Sequence, residues 1–184
     1  MATHFFGDTA VLTGRTIRHV TRSLDTIITT AVTPVAIMLL FVYVFGGAIN
    51  TGPVSYVNYM LPGILLITIA SGVSYTALRL LTDMQGGIFE RFQSLPIARS
   101  SVLWAHVLTS LTANMISLAV VVLVAVGIGF RSAAGVPAWL AVAGILILFT
   151  LALTWIAVIT GLIAKSVDGA GAFAYPLIFL PFIS

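Results

Sequence analysis

Asp83, Glu90, Arg91 and Arg99 fall within one short stretch, DMQGGIFERFQSLPIARS (residues 83–100), between two long apolar runs. Side chains of this kind make ion pairs and docking contacts. A reaction centre is harder to find. No G-x-x-x-x-G-K-[ST] is present, so the chain holds no P-loop for ATP. G-x-S-x-G and H-E-x-x-H are missing as well. His4, His19 and His106 are scattered, and His106 reads either as a hydrogen-bonded structural histidine or as part of a proton relay. Zero cysteines exclude disulfides, thiolate metal sites and cysteine nucleophiles. The centres of the apolar runs carry no ionisable side chain, which argues against a proton pump or a charged ion pore. No catalytic and no metal-ligating set is expected. Energy for any work would have to come from outside the chain.

The elements that position these residues are set by composition. Of 184 residues, 60% are hydrophobic and 7% charged, with a mean hydropathy of +1.16. A soluble domain carries about 25% charge, so the solvent for this chain must be lipid. The fold class expected is an all-α, polytopic transmembrane helix bundle. A spanning helix needs about 20 apolar residues. No charge occurs between Asp25 and Arg79, which is room for two spans and the turn GGAINTGPVSY. Spans are expected at 27–45, 56–78, 101–128 and 138–164, with a partial fifth at 169–184. From 169 to 184 a helix would rise only about 24 Å, short of a hydrocarbon core of about 30 Å. The sequence therefore reads as cut inside a membrane segment. Arg79 and Asp83, four apart, are expected to pair across one helical turn. Ala70, Ser71, Ser74, Gly169 and Gly171 offer small surfaces for close helix approach. Pro34, Pro176 and Pro181 are expected to kink or interrupt helices. Trp139 reads as an interfacial anchor.

Orientation follows the basic residues. With the N-terminus cytoplasmic, the inner segments hold Arg15, Arg18, Arg22, Arg79, Arg91, Arg99 and Lys165, and the outer turns hold only Arg131. The first apolar run is too long for the h-region of a cleavable signal peptide, and no A-x-A site closes it. Before it, Arg15, Arg18 and Arg22 share one helical face and Ile17, Val20 and Leu24 another. Residues 8–25 are thus expected to form an interfacial amphipathic helix on the cytoplasmic leaflet; the simpler reading is a topology signal. The preference for arginine over lysine, with abundant Ala, Gly and Val, points to a GC-rich coding sequence and so to a bacterial source.

The charged stretch has helical logic of its own. Gly86 and Gly87 form a flexible joint. Ile88, Phe89, Phe92 and Leu95 lie at i, i+1, i+4 and i+7, one apolar stripe, and Glu90, Arg91, Gln93 and Ser94 take the other side. Pro96 ends the helix by forcing Leu95 out of helical geometry. Two turns are too short to be stable alone in water. The stripe must rest on lipid or dock in a groove of a cytosolic partner, and the residues alone leave both open.

TPVAIMLLFVYVFGGAI, YVNYMLPGIL, DMQGGIFERFQSLPIARSSVL and LIAKSVDGAGAFAYPLIFLPFIS together resemble the permease subunits of ABC-2 type transporters, in particular the daunorubicin-resistance-type drug exporters. That resemblance implies six spans with both termini cytoplasmic, pairing with a second permease copy, and binding of a separate ABC ATPase that carries ATP and Mg. It implies that the loop at 84–100 is a coupling helix, with the coupling role on Gly87, Ile88, Phe89, Glu90, Arg91, Phe92, Ser94, Leu95 and Pro96, and that Arg15, Arg18 and Arg22 belong to the interfacial helix. The rest of span 5, an external re-entrant segment and span 6 lie outside this sequence. The function then expected is a non-enzymatic permease that exports a hydrophobic or amphipathic molecule (drug-like, lipid or glycan), with Ser71, Tyr75 and Tyr175 lining the path. No cofactor is expected on this chain and no nucleic acid as partner. The rival readings are a membrane anchor that recruits a cytosolic protein and moves nothing, and an ion-coupled carrier.

Overall fold

A computed structural model describes residues 24–47, 53–87, 99–164, 166–172 and 174–179. Within them the chain is helical and carries no strand. Helix α1, Leu24–Leu40, passes through Pro34 without ending and widens into a π-helical turn at Phe41–Phe45. Helices α2, Tyr56–Gln85, and α3, Arg99–Ile128, follow, then α4, Val136–Ile163. Two short helices close the order, α5 at Val167–Gly171 and α6 at Ala174–Phe179. Three helices, α2, α3 and α4, are long and apolar enough to cross a membrane, and Ala31–Phe45 is a shorter apolar stretch.

The helix ends follow local chemistry. Ser55 caps α2 by accepting from the Asn58 N–H at 3.4 Å. At the other end, Gly87 adopts φ 69°, a left-handed conformation that suits glycine just past a helix terminus. The expected span at 56–78 ends inside α2, which runs on to Gln85. Thirty helical residues rise about 45 Å, so α2 outreaches a hydrocarbon core of about 30 Å. Pro137 sits in the first turn of α4, where a missing N–H costs nothing. Ser166 caps α5 through the Gly169 N–H. Pro176 cannot donate back to Ala172, which fits a helix restarting at Ala174 rather than one running unbroken from α5.

Helix α2 is the axis, and every other α-helix packs against it. Two thirds of its most apolar window is buried, against 28% for α3 and for α4. Its core side chains include Ile64, Ile69, Val73, Ala77 and Leu80, all essentially fully buried. The burial is arranged for lipid. Polar side chains turn inward, Thr68 and Thr76 on α2 and Thr109, Ser110, Asn114 and Ser117 on α3, while α4 turns Leu140, Ile145, Leu148 and Ile163 outward. In water that arrangement would be unstable; in hydrocarbon, apolar side chains on the outside cost nothing.

Candidate functional site

The polar groups of the bundle gather on the seam between α2 and α3. On α3, Ser110, Asn114 and Ser117 recur at spacings of four and three, which puts them on one face. On α2, Gly72, Thr76 and Arg79 do the same. The two faces meet in a narrow cleft lined by Gly72, Tyr75, Thr76, Arg79, Thr109 and Asn114, with His106 and Ser110 beside them. Gly72 permits the approach. A methyl group there would lie 2.8 Å from Asn114 Cγ.

Hydrogen bonds within each helix, and the Thr76–Ser110 contact between them, hold this seam. Asn114 Nδ2 donates to the Ser110 carbonyl at 3.0 Å. The Ser110 and Thr76 hydroxyls lie 2.5 Å apart. Thr76 Oγ1 also lies 3.3 Å from the Gly72 carbonyl, and either hydroxyl can be the donor in the Thr76–Ser110 pair. The contact with a carbonyl also fixes the Asn114 amide, because only its nitrogen can donate there. One acceptor is then left over. Asn114 is 2% exposed, and its Oδ1 has no partner among the described residues; nor has the equally buried Thr109 hydroxyl. Buried polar atoms are nearly always satisfied, so two unpaired ones on a single cleft mark it out.

At the end of the seam nearest the α2–α3 loop stands a small charged group. His106 Nε2 lies 3.4 Å from Asp83 Oδ2. The expected Arg79–Asp83 pair is replaced by this one: His106 reaches Asp83 from the neighbouring helix, and Arg79 turns to the cleft instead. Arg79 makes no ion pair among the described residues. His106 is therefore a tie between two helices.

At the opposite end the geometry is apolar. The Asn58 amide clamps the α3–α4 turn: its Nδ2 donates to the Arg131 carbonyl at 2.7 Å, and its Oδ1 accepts from the Arg131 N–H at 3.2 Å. The clamp roofs a cavity of about 390 Å³ walled by Leu65, Leu66, Val122, Phe130, Trp139 and Leu146. Trp139 packs edge-on against Phe130, ring centroids 6.1 Å apart. Such a volume falls within the range of small-molecule pockets.

Of the expected path residues, Tyr75 lines the polar cleft. Ser71 is half-buried one position from Gly72 and borders neither cavity, and Tyr175 is exposed on α6. Gly87 closes the described part of the stretch expected to couple. Ile88, Phe89, Glu90, Arg91, Phe92, Ser94, Leu95 and Pro96 lie outside the described residues, as do Arg15, Arg18 and Arg22. Asn58, Gly72, Thr109 and Asn114 were missed by a sequence search aimed at charges; the polar spacing along α3 was the signal available.

Residues 8–184 match the ABC-2 type transporter family. The chain belongs to that family. This ABC-2 chain is also 30% identical over 151 residues to the daunorubicin resistance ABC transporter permease protein DrrB1 of Streptomyces coeruleorubidus. The aligned stretch covers 80% of this chain and 53% of that relative, so the ABC-2 chain spans about half the relative's length. No solved structure matches it. It is thus an ABC-2 permease-family chain and a homologue of a drug-resistance transporter, with helices apolar enough for a membrane.

Proposed function

We propose that the chain is the membrane-spanning permease of an ATP-driven exporter in a bacterial inner membrane, N-terminus cytoplasmic. Four spans and part of a fifth, of six in the whole subunit, carry a hydrophobic or amphipathic molecule outward. A separate ABC ATPase supplies the energy, and a second permease copy completes the path. The observation that carries this reading is the family match over nearly the whole chain, joined to a relative whose name is that of a daunorubicin-resistance ABC permease.

The geometry suits the role. Helix α2 is long enough to carry its end beyond the hydrocarbon, where a cytosolic ATPase can reach the 88–98 loop. The Asp83–His106 tie joins α2 to α3 close to that loop. A push on the loop would then reach both helices at the end of the seam where they are joined, and bias how α3 sits against α2. The apolar cavity near Trp139 and the absence of midplane charge favour an uncharged or amphipathic cargo. Ser71, Tyr75 and Tyr175 remain the proposed path residues, with Tyr75 the best placed.

The test is the double substitution Glu90→Ala with Phe92→Ala in the complete transporter. ATP hydrolysis and membrane insertion should persist while export is lost. Normal coupled export by that variant would overturn the coupling role of the loop.

A further inference from the structure

We propose that the α2–α3 seam is a binding subsite for a neutral hydrogen-bond donor: an alcohol or phenol hydroxyl on an amphipathic molecule whose apolar body stays in lipid. The proposal deepens the exporter reading and rests on it for the identity of the cargo. Its first support is the unspent acceptor. Asn114 lines the cleft and is nearly fully buried; its Oδ1 has no partner among the described residues, while its Nδ2 is spent on the Ser110 carbonyl and the Thr76 and Ser110 hydroxyls are spent on each other. The Thr109 hydroxyl beside it is also unspent. In a lipid-facing protein no bulk water satisfies such groups, so an incoming donor gains close to a full hydrogen bond.

Size is the second support. The cleft offers about 30 Å³. That is more than the roughly 10–15 Å³ a single water needs and far below the roughly 300 Å³ of a small-molecule pocket, room for a polar group and not for the whole body of a drug-sized molecule. The body of the ligand must stay at the mouth, where the 40% exposed ring of Tyr75 offers it a flat apolar surface. Charge is the third. Arg79 lines the same cleft without an ion-pair partner among the described residues, and the carboxylate of Asp83 is engaged by His106. A buried ammonium would meet that guanidinium with no free anion to offset it, so a neutral donor is preferred.

The test uses the full chain in phosphatidylcholine nanodiscs without nucleotide. Binding of 2-naphthol and of its methyl ether, 2-methoxynaphthalene, is measured by equilibrium dialysis against empty nanodiscs of the same lipid. The ether keeps the ring and removes the donor. Wild type should hold 2-naphthol about tenfold more tightly than the ether, relative to empty discs, the worth of one buried hydrogen bond. Asn114→Leu should erase the preference, and Thr109→Val should reduce it. No preference in wild type would overturn the proposal, and so would a preference that survives Asn114→Leu. If Asn114→Leu fails to fold, an unchanged preference in Thr109→Val overturns it and a reduced one upholds it. The assay involves neither ATP nor transport. Lost export therefore leaves the subsite standing, and a missing preference leaves the exporter reading standing.

Discussion

The two faces of α2 hold their neighbours in different ways. Toward α4 the contact is made by shape. Gly161 lies so close that an added methyl would stand 2.9 Å from the Ala77 carbonyl oxygen and 3.3 Å from Ala77 Cα. Around it Ala77, Leu80, Ala157 and Val158 are buried, and Thr154 bonds back to its own helix at the Thr150 carbonyl. Toward α3 the contact is made by polar groups, through Thr76–Ser110 and Asp83–His106. Lipid supplies no hydrophobic drive between helices, so close packing and hydrogen bonding are the two means available. One helix uses both, on separate faces. Close packing leaves little to adjust, whereas the polar face keeps groups that can change partners. That contrast makes α2–α4 the fixed contact and α2–α3 the one suited to respond.

The largest effect should come from breaking the fixed contact. Gly161→Val drives side-chain carbon into the backbone of α2, where no rotamer change relieves it. The loss of stability should exceed about 3 kcal/mol, at the severe end for overpacking. It is read as loss of the monodisperse peak in detergent together with a lowered midpoint of unfolding by dodecyl sulfate. A variant as stable as wild type would mean that α4 does not pack on α2 through this glycine.

A smaller effect is expected at the glycine of the polar face. Gly72→Ala puts its methyl against a side-chain amide, Asn114, instead of a backbone. The amide can yield, at the expense of its bond to the Ser110 carbonyl. A cost of about 1–2 kcal/mol follows. Unlike Gly161, this site should be rescued by a second change: Gly72→Ala with Asn114→Ala should be more stable than the sum of the two single effects predicts, since the collision is then gone. Additive behaviour in the same unfolding assay would break the distinction between a yielding face and a rigid one.

Much of the architecture could be read from the sequence, for a simple reason. Charge-free runs flanked by Gly and Pro leave few places for a membrane helix to begin or end, and α3 and α4 start and stop within two residues of the expected limits. The polar seam was harder. Ser110, Asn114 and Ser117 announce a face, but nothing local says that Gly72 and Thr76, over thirty residues earlier, lie opposite; that depends on the rotational register of two helices. The same is true of close approach. Ala70, Ser71 and Ser74 are small too, yet each residue turns the helix by about 100°, and Gly72 is the one aimed at Asn114. Asn58 and Arg131 are 73 positions apart and meet only through the folded turn. His106 left two readings open because its partner, Asp83, sits on another helix. The proposed coupling residues from Ile88 to Pro96 stand out as a motif and lie outside the described residues.

The smallest expected effect tests what the polar face contributes to holding the bundle together. Thr76→Val keeps the shape and removes one partner of the 2.5 Å contact with Ser110. Hydrogen bonds between membrane helices average about 0.6 kcal/mol, because the unfolded chain in the bilayer finds other partners. A loss near that size is expected in the unfolding assay, well below the change at Gly161. The double variant Thr76→Val with Ser110→Ala should then lose no more than Thr76→Val alone, since no buried hydroxyl is left without its partner. If Thr76→Val instead costs as much as Gly161→Val, the seam is a structural clamp in its own right, and α2–α3 is as fixed as α2–α4. If the cost is small and export nevertheless falls, the seam serves movement more than stability, which is the property a responsive contact must have.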